Sequence, residues 1–367
     1  MNTRSTGVYW GYIVSSLALL IFSYTQVDLN LTLSQAGIVQ DMQKAFQYVG
    51  FYQRPVSTGI YLSILMGLFI SYSMLLGAVK AGKVAVRDVW RIILTISVFL
   101  VASYPAAFSY DFFNYLFTAK TVLVYGQNPY TVTPIQFSAI DPWTNFMRWT
   151  HLPSAYTPLW IGLSLIPYVL GFGFFLPVLF ATKMLVAGFY MLACWALWRT
   201  TKSLYALSVF ALNPLILLES LVSAHNDIVM IACFLLALYY GRNWLLLSVS
   251  VALKFMTITL IPVFALKKNS VWMLGAMGAG LVLVLFRREF LPWYWVWIVP
   301  FVALNFNKTH LVRASTIISF GLLASYAPYL YFGEYSAVSQ LWKTAGIWSG
   351  VVLGVFSLFL PRLKRRS

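Results

Sequence analysis

The sequence predicts an all-α polytopic integral membrane protein, with about 10–12 transmembrane or half-membrane helices and an amphipathic helix on the outer surface. Three observations predict it. Of the 367 residues, 60% are AVILMFWYC and only 9% are charged; mean hydropathy is +0.79. A soluble domain carries about 25% charged residues, so there is too little polar surface here to cover a water-soluble globule. Long apolar runs recur along the whole chain, and the ten-residue alternation of an outer-membrane barrel is missing.

The first run, Gly7 to Gln26, follows one arginine, exceeds the apolar core of a cleaved signal and lacks a small-x-small cleavage site. It reads as an uncleaved first span. Further runs fall near 58–79, 92–109, 158–171, 174–198, 204–220, 227–240, 244–266, 271–286, 292–306, 315–332 and 346–361. Several are shorter than a full crossing and read as half-helices or re-entrant pieces, which are tolerated only where the broken backbone is buried or lines a cavity. No linker or internal repeat is visible, so residues 1–367 read as a single membrane domain.

Lysine and arginine exceed aspartate and glutamate by 25 to 9, a formal charge of +16. The basic residues sit in short clusters between apolar runs, where the positive-inside bias accounts for them; no nucleic-acid partner is implied. Lys80, Lys83, Arg87 and Arg91 crowd one connection, and Arg362, Lys364, Arg365 and Arg366 end the chain. Both clusters are placed in the cytoplasm, so connections 28–57 and 110–157 face outward from a cytoplasmic (inner) membrane. One full pass through 244–266 puts Lys267 and Lys268 outside, against that bias, unless the segment is broken or a neighbour re-enters. Cys194 and Cys233 lie in apolar runs without metal-site or disulfide spacing and read as small buried hydrophobes.

The connection 110–157 opens on Ser109-Tyr110-Asp111-Phe112-Phe113-Asn114, where Asp111, Asn114 and Thr118 share one helical face while Phe112, Phe113, Leu116 and Phe117 supply apolar surface. That pattern predicts the amphipathic outer helix, ended by Gly126-Gln127-Asn128-Pro129-Tyr130. Only nine acidic residues exist in the chain. An acid in or beside hydrocarbon is costly and marks a candidate functional position; Asp111, Glu219 and Asp227 fit best. Asn213-Pro214, Glu219 and His225-Asn226-Asp227 form a second polar constellation flanked by apolar helix. Lys254 stands alone in the run 244–266 and needs a carboxylate, a carbonyl cluster or a ligand phosphate.

Five pieces of the chain, in order, carry a family resemblance: Ser109-Tyr110-Asp111 through Pro129-Tyr130; Tyr156-Thr157-Pro158-Leu159; Asn213-Pro214 with Glu219 and His225-Asn226-Asp227; Ala252-Leu253-Lys254; and Pro292-Trp293-Tyr294-Trp295-Val296-Trp297. Their order over roughly residues 100–305 resembles that of GT-C membrane glycosyltransferases, most nearly the bacterial polyprenyl-phosphate-mannose-dependent mannosyltransferases. Thr157 stands where that pattern has glycine.

The resemblance implies transfer of a sugar, mannose by preference, from a polyprenyl-phosphate-linked donor to a hydroxyl of a glycan or glycolipid on the extracytoplasmic face. Asp111 matches the acidic residue that serves as catalytic base. Inversion at a β-linked donor then gives an α-linked product, with one carboxylate sufficient because the phosphate leaves already ionised. On this reading Lys254, and after it Arg148 or His151, neutralise the departing phosphate. Tyr110, Asn114, His151, Tyr156, Glu219, His225, Asn226 and Asp227 hold sugar hydroxyls or orient the base. Membrane lipids surround the chain. Neither an acidic pair for a nucleotide-sugar metal nor a His-rich set is present, so no metal and no cofactor is expected.

Each candidate has a plainer reading. Asp111 and Asp227 suit helix N-caps. Glu219 suits a bond across helices, Lys254 can snorkel to the interface, and the Trp293 run suits an interfacial aromatic belt. Arg287 and Arg288 suit either phosphate or lipid headgroups. A secondary transporter or lipid flippase is the rival function, but such folds carry an internal repeat.

Overall fold

A computed structural model describes residues 3–360, the side chains of 3–6 and 8 excepted. The basic cluster from Arg362 onward lies outside the described residues. The chain is 75% helical, and the described residues hold no strand. It is an all-α polytopic membrane protein. Among the described residues four helices are long and apolar enough to cross a bilayer, a bent pair has the length and composition of a broken span or a re-entrant loop, and there are several shorter apolar helices.

The elements run α1 (Thr3–Thr25), α2 (Gly37–Gln47), α3 (Arg54–Lys80), α4 (Val86–Val101), α5 (Asp111–Leu123), α6 (Pro158–Leu170), α7 (Phe175–Thr201), α8 (Leu204–Ala211) and α9 (Pro214–Leu217). They continue through α10 (Asp227–Tyr239), α11 (Trp244–Leu253), α12 (Ile261–Ala265), α13 (Ser270–Leu285), α14 (Val299–Leu304), α15 (Thr309–Ala324), α16 (Ala327–Phe332) and α17 (Ala337–Phe359). Three packed groups stand out: α1 against α3 and α4, α10 against α7 and α11, and α15 against α17. The segment from Ala206 to Leu235 is buried without interruption, which places the 213–227 constellation at the centre of the molecule.

Helix starts follow the polar residues that interrupt the apolar runs. Thr157, Ser203, Asn213, Asn243 and Asn269 each accept a backbone N–H of the helix they open, and Pro158 and Pro214 occupy first helical positions, where no N–H is required. Two breaks shape the interior. After α9 the chain makes a π-helical turn, Leu218–Val222, and Ala224 takes a left-handed backbone (φ 51°) before α10 begins; α8 and the 214–222 piece are bent by 54°. The run 244–266 is likewise broken. Lys254 leaves α11 in extended conformation (φ −161°, ψ 123°), and a 3-10 stretch, Phe255–Leu260, follows.

The expected amphipathic helix is α5, and its surroundings differ from the sequence picture. Phe112 to Ala119 are all buried, because α6 and the folded connection 124–157 cover the helix. Its polar stripe, Asn114 and Thr118, lines a cavity. The approach to α5 is anchored by Lys183 of α7. This fully buried lysine donates to Leu100 O (3.0 Å), Ser103 O (2.5 Å) and Ser103 Oγ (3.1 Å), satisfying carbonyls at the end of α4 just before the turn into Asp111.

Candidate active site

A cavity of about 1260 Å³ lies between α5, the connection 147–157, the break at Lys254, the end of α13, the aromatic run from Pro292 and the 325–343 segment. Its wall changes character along its length. Tyr110, Asp111, Asn114, Arg148, Tyr156, Asn226 and Lys254 form a polar stretch, whereas Phe255, Ile258 and Leu283 continue it as apolar surface. Those three side chains are 66%, 51% and 65% exposed, so this part of the wall runs out to the periphery of a membrane protein.

Asp111 is the first residue of α5 and makes no cap hydrogen bond, so the N-cap reading does not describe it. A quarter of its side chain is accessible. Burial pushes its carboxyl up to about 6, Lys254 pulling it down and Asp227 adding to the rise. Tyr156 reaches across from the 150s, its hydroxyl 3.5 Å from Asp111 O, and Tyr115 stacks edge-on against Tyr156.

Behind Asp111 lies His225, 2% exposed, with Nδ1 4.0 Å from Asp111 Oδ2 and Nε2 3.4 Å from Glu219 Oε2. Its ring stacks on Trp293 at 4.3 Å between centroids. Glu219 is fully buried and accepts from the Tyr326 hydroxyl at 3.0 Å. Asp227 caps nothing either: α10 opens with no side-chain cap. It accepts instead from Lys254 Nζ (2.7 Å) and from the Trp297 indole N–H. The break at Lys254 turns its ammonium inward to this carboxylate and to Asn226 Oδ1 (3.5 Å), a paired arrangement that replaces snorkelling.

Arg148 is likewise paired. It donates to Asp28 Oδ1 (3.0 Å) and to the Tyr110 hydroxyl (3.1 Å) while lying over the Tyr110 ring at 4.4 Å. Asp28, on the connection after α1, accepts from the Tyr104 hydroxyl at 3.3 Å. Arg148 and Lys254 are thus each held in place by a carboxylate.

Of the residues singled out in the sequence, Tyr110, Asp111, Asn114, Arg148, Tyr156, Asn226 and Lys254 line one cavity. Glu219, His225 and Asp227 are not among the lining residues and are buried behind them. His151 is not among the lining residues, although Leu152 and Pro153 beside it are. The aromatic run belongs to the site, since Trp293 and Trp297 hold His225 and Asp227. Arg288, Glu289, Tyr326, Tyr335 and Lys343 also line the cavity. Of these only Arg288 carried a signal in the sequence; a tyrosine in a chain with 23 of them carries none.

Residues 13–269 match the family model described as alpha-(1->6)-mannopyranosyltransferase, N-terminal domain, of the MptA_B family. That span is well over half of the chain. The protein belongs to this family. No curated protein and no solved structure matches it. As a mannosyltransferase it takes a sugar donor and a glycan acceptor, and the matched region contains Asp111, Arg148, Tyr156, Glu219, His225, Asp227 and Lys254. The rest of the mannosyltransferase's cavity wall, from Gly280 to Lys343, lies beyond that region.

Proposed function

We propose that this mannosyltransferase moves mannose from a polyprenyl-phosphate donor to a hydroxyl of a glycan or glycolipid, on the extracytoplasmic face of the inner membrane, with inversion. The observation that carries this reading is the placement of a partly accessible carboxylate, Asp111, on a cavity whose wall passes from polar to apolar and periphery-facing. A prenyl chain fits only an apolar path open to lipid, and an acceptor glycan only a polar one. The cluster Lys80, Lys83, Arg87 and Arg91 supports the orientation through the positive-inside bias.

In the reaction the acceptor oxygen attacks the anomeric carbon, its proton passes to a carboxylate oxygen of Asp111, and the bond from that carbon to the phosphate oxygen breaks. The electron pair leaves with the polyprenyl phosphate, whose charge grows by one. Lys254 and Arg148 supply cationic N–H groups to that charge and are already oriented by Asp227 and Asp28. Tyr110, Asn114, Tyr156 and Asn226 offer hydrogen-bonding atoms to sugar hydroxyls. A β-linked donor attacked from the opposite side yields an α-linked product, in keeping with the linkage in the family's description.

The test is incorporation of radiolabelled mannose from polyprenyl-phosphate mannose by membranes holding the wild-type chain, Asp111→Asn or Asp111→Ala. Loss of roughly 10²–10⁴-fold at normal abundance is expected for removal of a general base. Full transfer by Asp111→Asn would remove that residue from the role.

A further inference from the structure

Glu219 and His225 are buried side by side, and the atoms they turn toward each other, Glu219 Oε2 and His225 Nε2, each lack a hydrogen-bond partner. No lysine or arginine pairs with Glu219 among the described residues. An ionised carboxylate so placed would have the Tyr326 hydroxyl on Oε1 but no cation, and Oε2 would face the imidazole lone pair or a single N–H, at high desolvation cost. The groups around the pair are Asp111 and Asp227, Lys254, and the hydroxyls of Tyr61 and Tyr326. The Tyr326 hydroxyl already donates to the other oxygen, Oε1.

We infer that Glu219 is carried as a neutral acid whose Oε2–H donates to His225 Nε2, fixing the imidazole tautomer that presents Nδ1–H to the Asp111 carboxylate. Glu219 is then a positioning residue, acting on the base through His225 and never meeting substrate. This rests on Asp111 being the base. One proton sits on each link: Tyr326 Oη–H to Glu219 Oε1, Glu219 Oε2–H to His225 Nε2, and His225 Nδ1–H to Asp111 Oδ2. The reverse tautomer would aim a lone pair at a carboxylate oxygen. The 3.4 and 4.0 Å separations leave room for closure when substrate fills the cavity, since such bonds are often long in the free enzyme. Stacking on Trp293 restrains the orientation of the ring.

The neutral-acid assignment sets glutamine apart from other replacements, because a side-chain amide also donates to Nε2 and accepts from Tyr326. With full-length protein in membranes and polyprenyl-phosphate mannose as donor, Glu219→Leu is expected to lower kcat about 10–100-fold at unchanged donor KM, the usual scale for an outer-layer partner. Its acid limb of activity is expected to move to higher pH, because the Asp111 carboxylate loses an oriented donor. Glu219→Gln is expected to rescue, keeping at least about a third of the wild-type kcat with the limb in place. Equal losses in the two variants would show that an anionic carboxylate is required and would overturn the inference; wild-type kinetics in Glu219→Leu would do the same. Should Glu219→Leu fail to accumulate, Glu219→Gln decides alone, and a rate below a tenth of wild type overturns the assignment. Asp111→Asn in the same series separates the two readings. An active Asp111→Asn defeats the base, whereas an inactive Asp111→Asn beside a fully active Glu219→Leu defeats only the relay of hydrogen bonds.

Discussion

Asp111 combines partial access with a carboxyl raised above its ordinary value, two properties that suit the general base proposed for it. Burial outweighs the pull of Lys254 and brings its carboxyl to about 6. If Asp111 is the base, as proposed, its ionised form is the active one, and transfer should be constant well above that value and fall about tenfold per pH unit below it. A kcat profile between pH 4.5 and 8 checks this, and a limb near pH 4, as for a solvated aspartate, would contradict it. A second residue-scale expectation concerns Lys254 and Asp227. Asp227 is 1% exposed and Lys254 29%, so Lys254→Met leaves a buried carboxylate with only the Trp297 indole. Removing one partner of such a pair costs about 3–5 kcal/mol, and the accessible part of the lysine favours the lower end. Thermal unfolding in detergent should show that loss, and Lys254→Met with Asp227→Asn should recover much of it because no buried charge remains. Transfer activity should not return in the double variant if Lys254 is the cation for the phosphate, as proposed. Full activity there would make the pair purely structural.

At the scale of elements, the sequence was most legible where a residue type contradicts its surroundings. Pro214 inside an apolar run and Lys254 inside another mark the two breaks, and the acid-bearing stretch at Asp111 marks the start of α5. Hydropathy could not say what the polar stripe of α5 faces. Asn114 and Thr118 alternate with aromatics in the same way whether they meet water or a cavity, and only the fold of 124–157 over the helix decides. The Glu219–Tyr326 bond spans 107 residues, and no local pattern announces a pairing at that separation. Close helix approach was equally silent. A Cβ at Gly321 of α15 would lie 2.6 Å from Gly350 Cα of α17, a backbone atom that cannot rotate away, whereas one at Gly346 meets nothing within 4 Å. Gly321→Val should therefore push α15 and α17 apart and cost about 1–3 kcal/mol, while Gly346→Ala should be neutral or gain up to about 1 kcal/mol from helix propensity. Melting temperatures and membrane abundance of the two variants check the contrast; equal behaviour would mean that the α15–α17 contact is not tight.

Over the whole molecule, the boundary of the family match and the boundary of the site do not coincide. The match ends at residue 269, yet the three buried polar residues behind the cavity each lean on an aromatic beyond it: His225 on Trp293, Asp227 on Trp297 and Glu219 on Tyr326. Removing residues 270–360 would uncover the cavity on one side and strip these three of their stacking or hydrogen-bond partners. Burial of unpaired polar groups costs about 1–3 kcal/mol each, more than a marginally stable membrane fold can absorb together with the lost α13, α15 and α17 packing. A chain ending at 269 should thus be poorly retained in membranes and inactive even where it accumulates. Co-expression of residues 270–367 as a separate piece tests the cause, because the break lies in the connection before α13 and severs no buried helix. Recovery of both abundance and mannose transfer in the two-piece protein is the expected result. Transfer by 1–269 alone would mean that the C-terminal wall contributes nothing to the site.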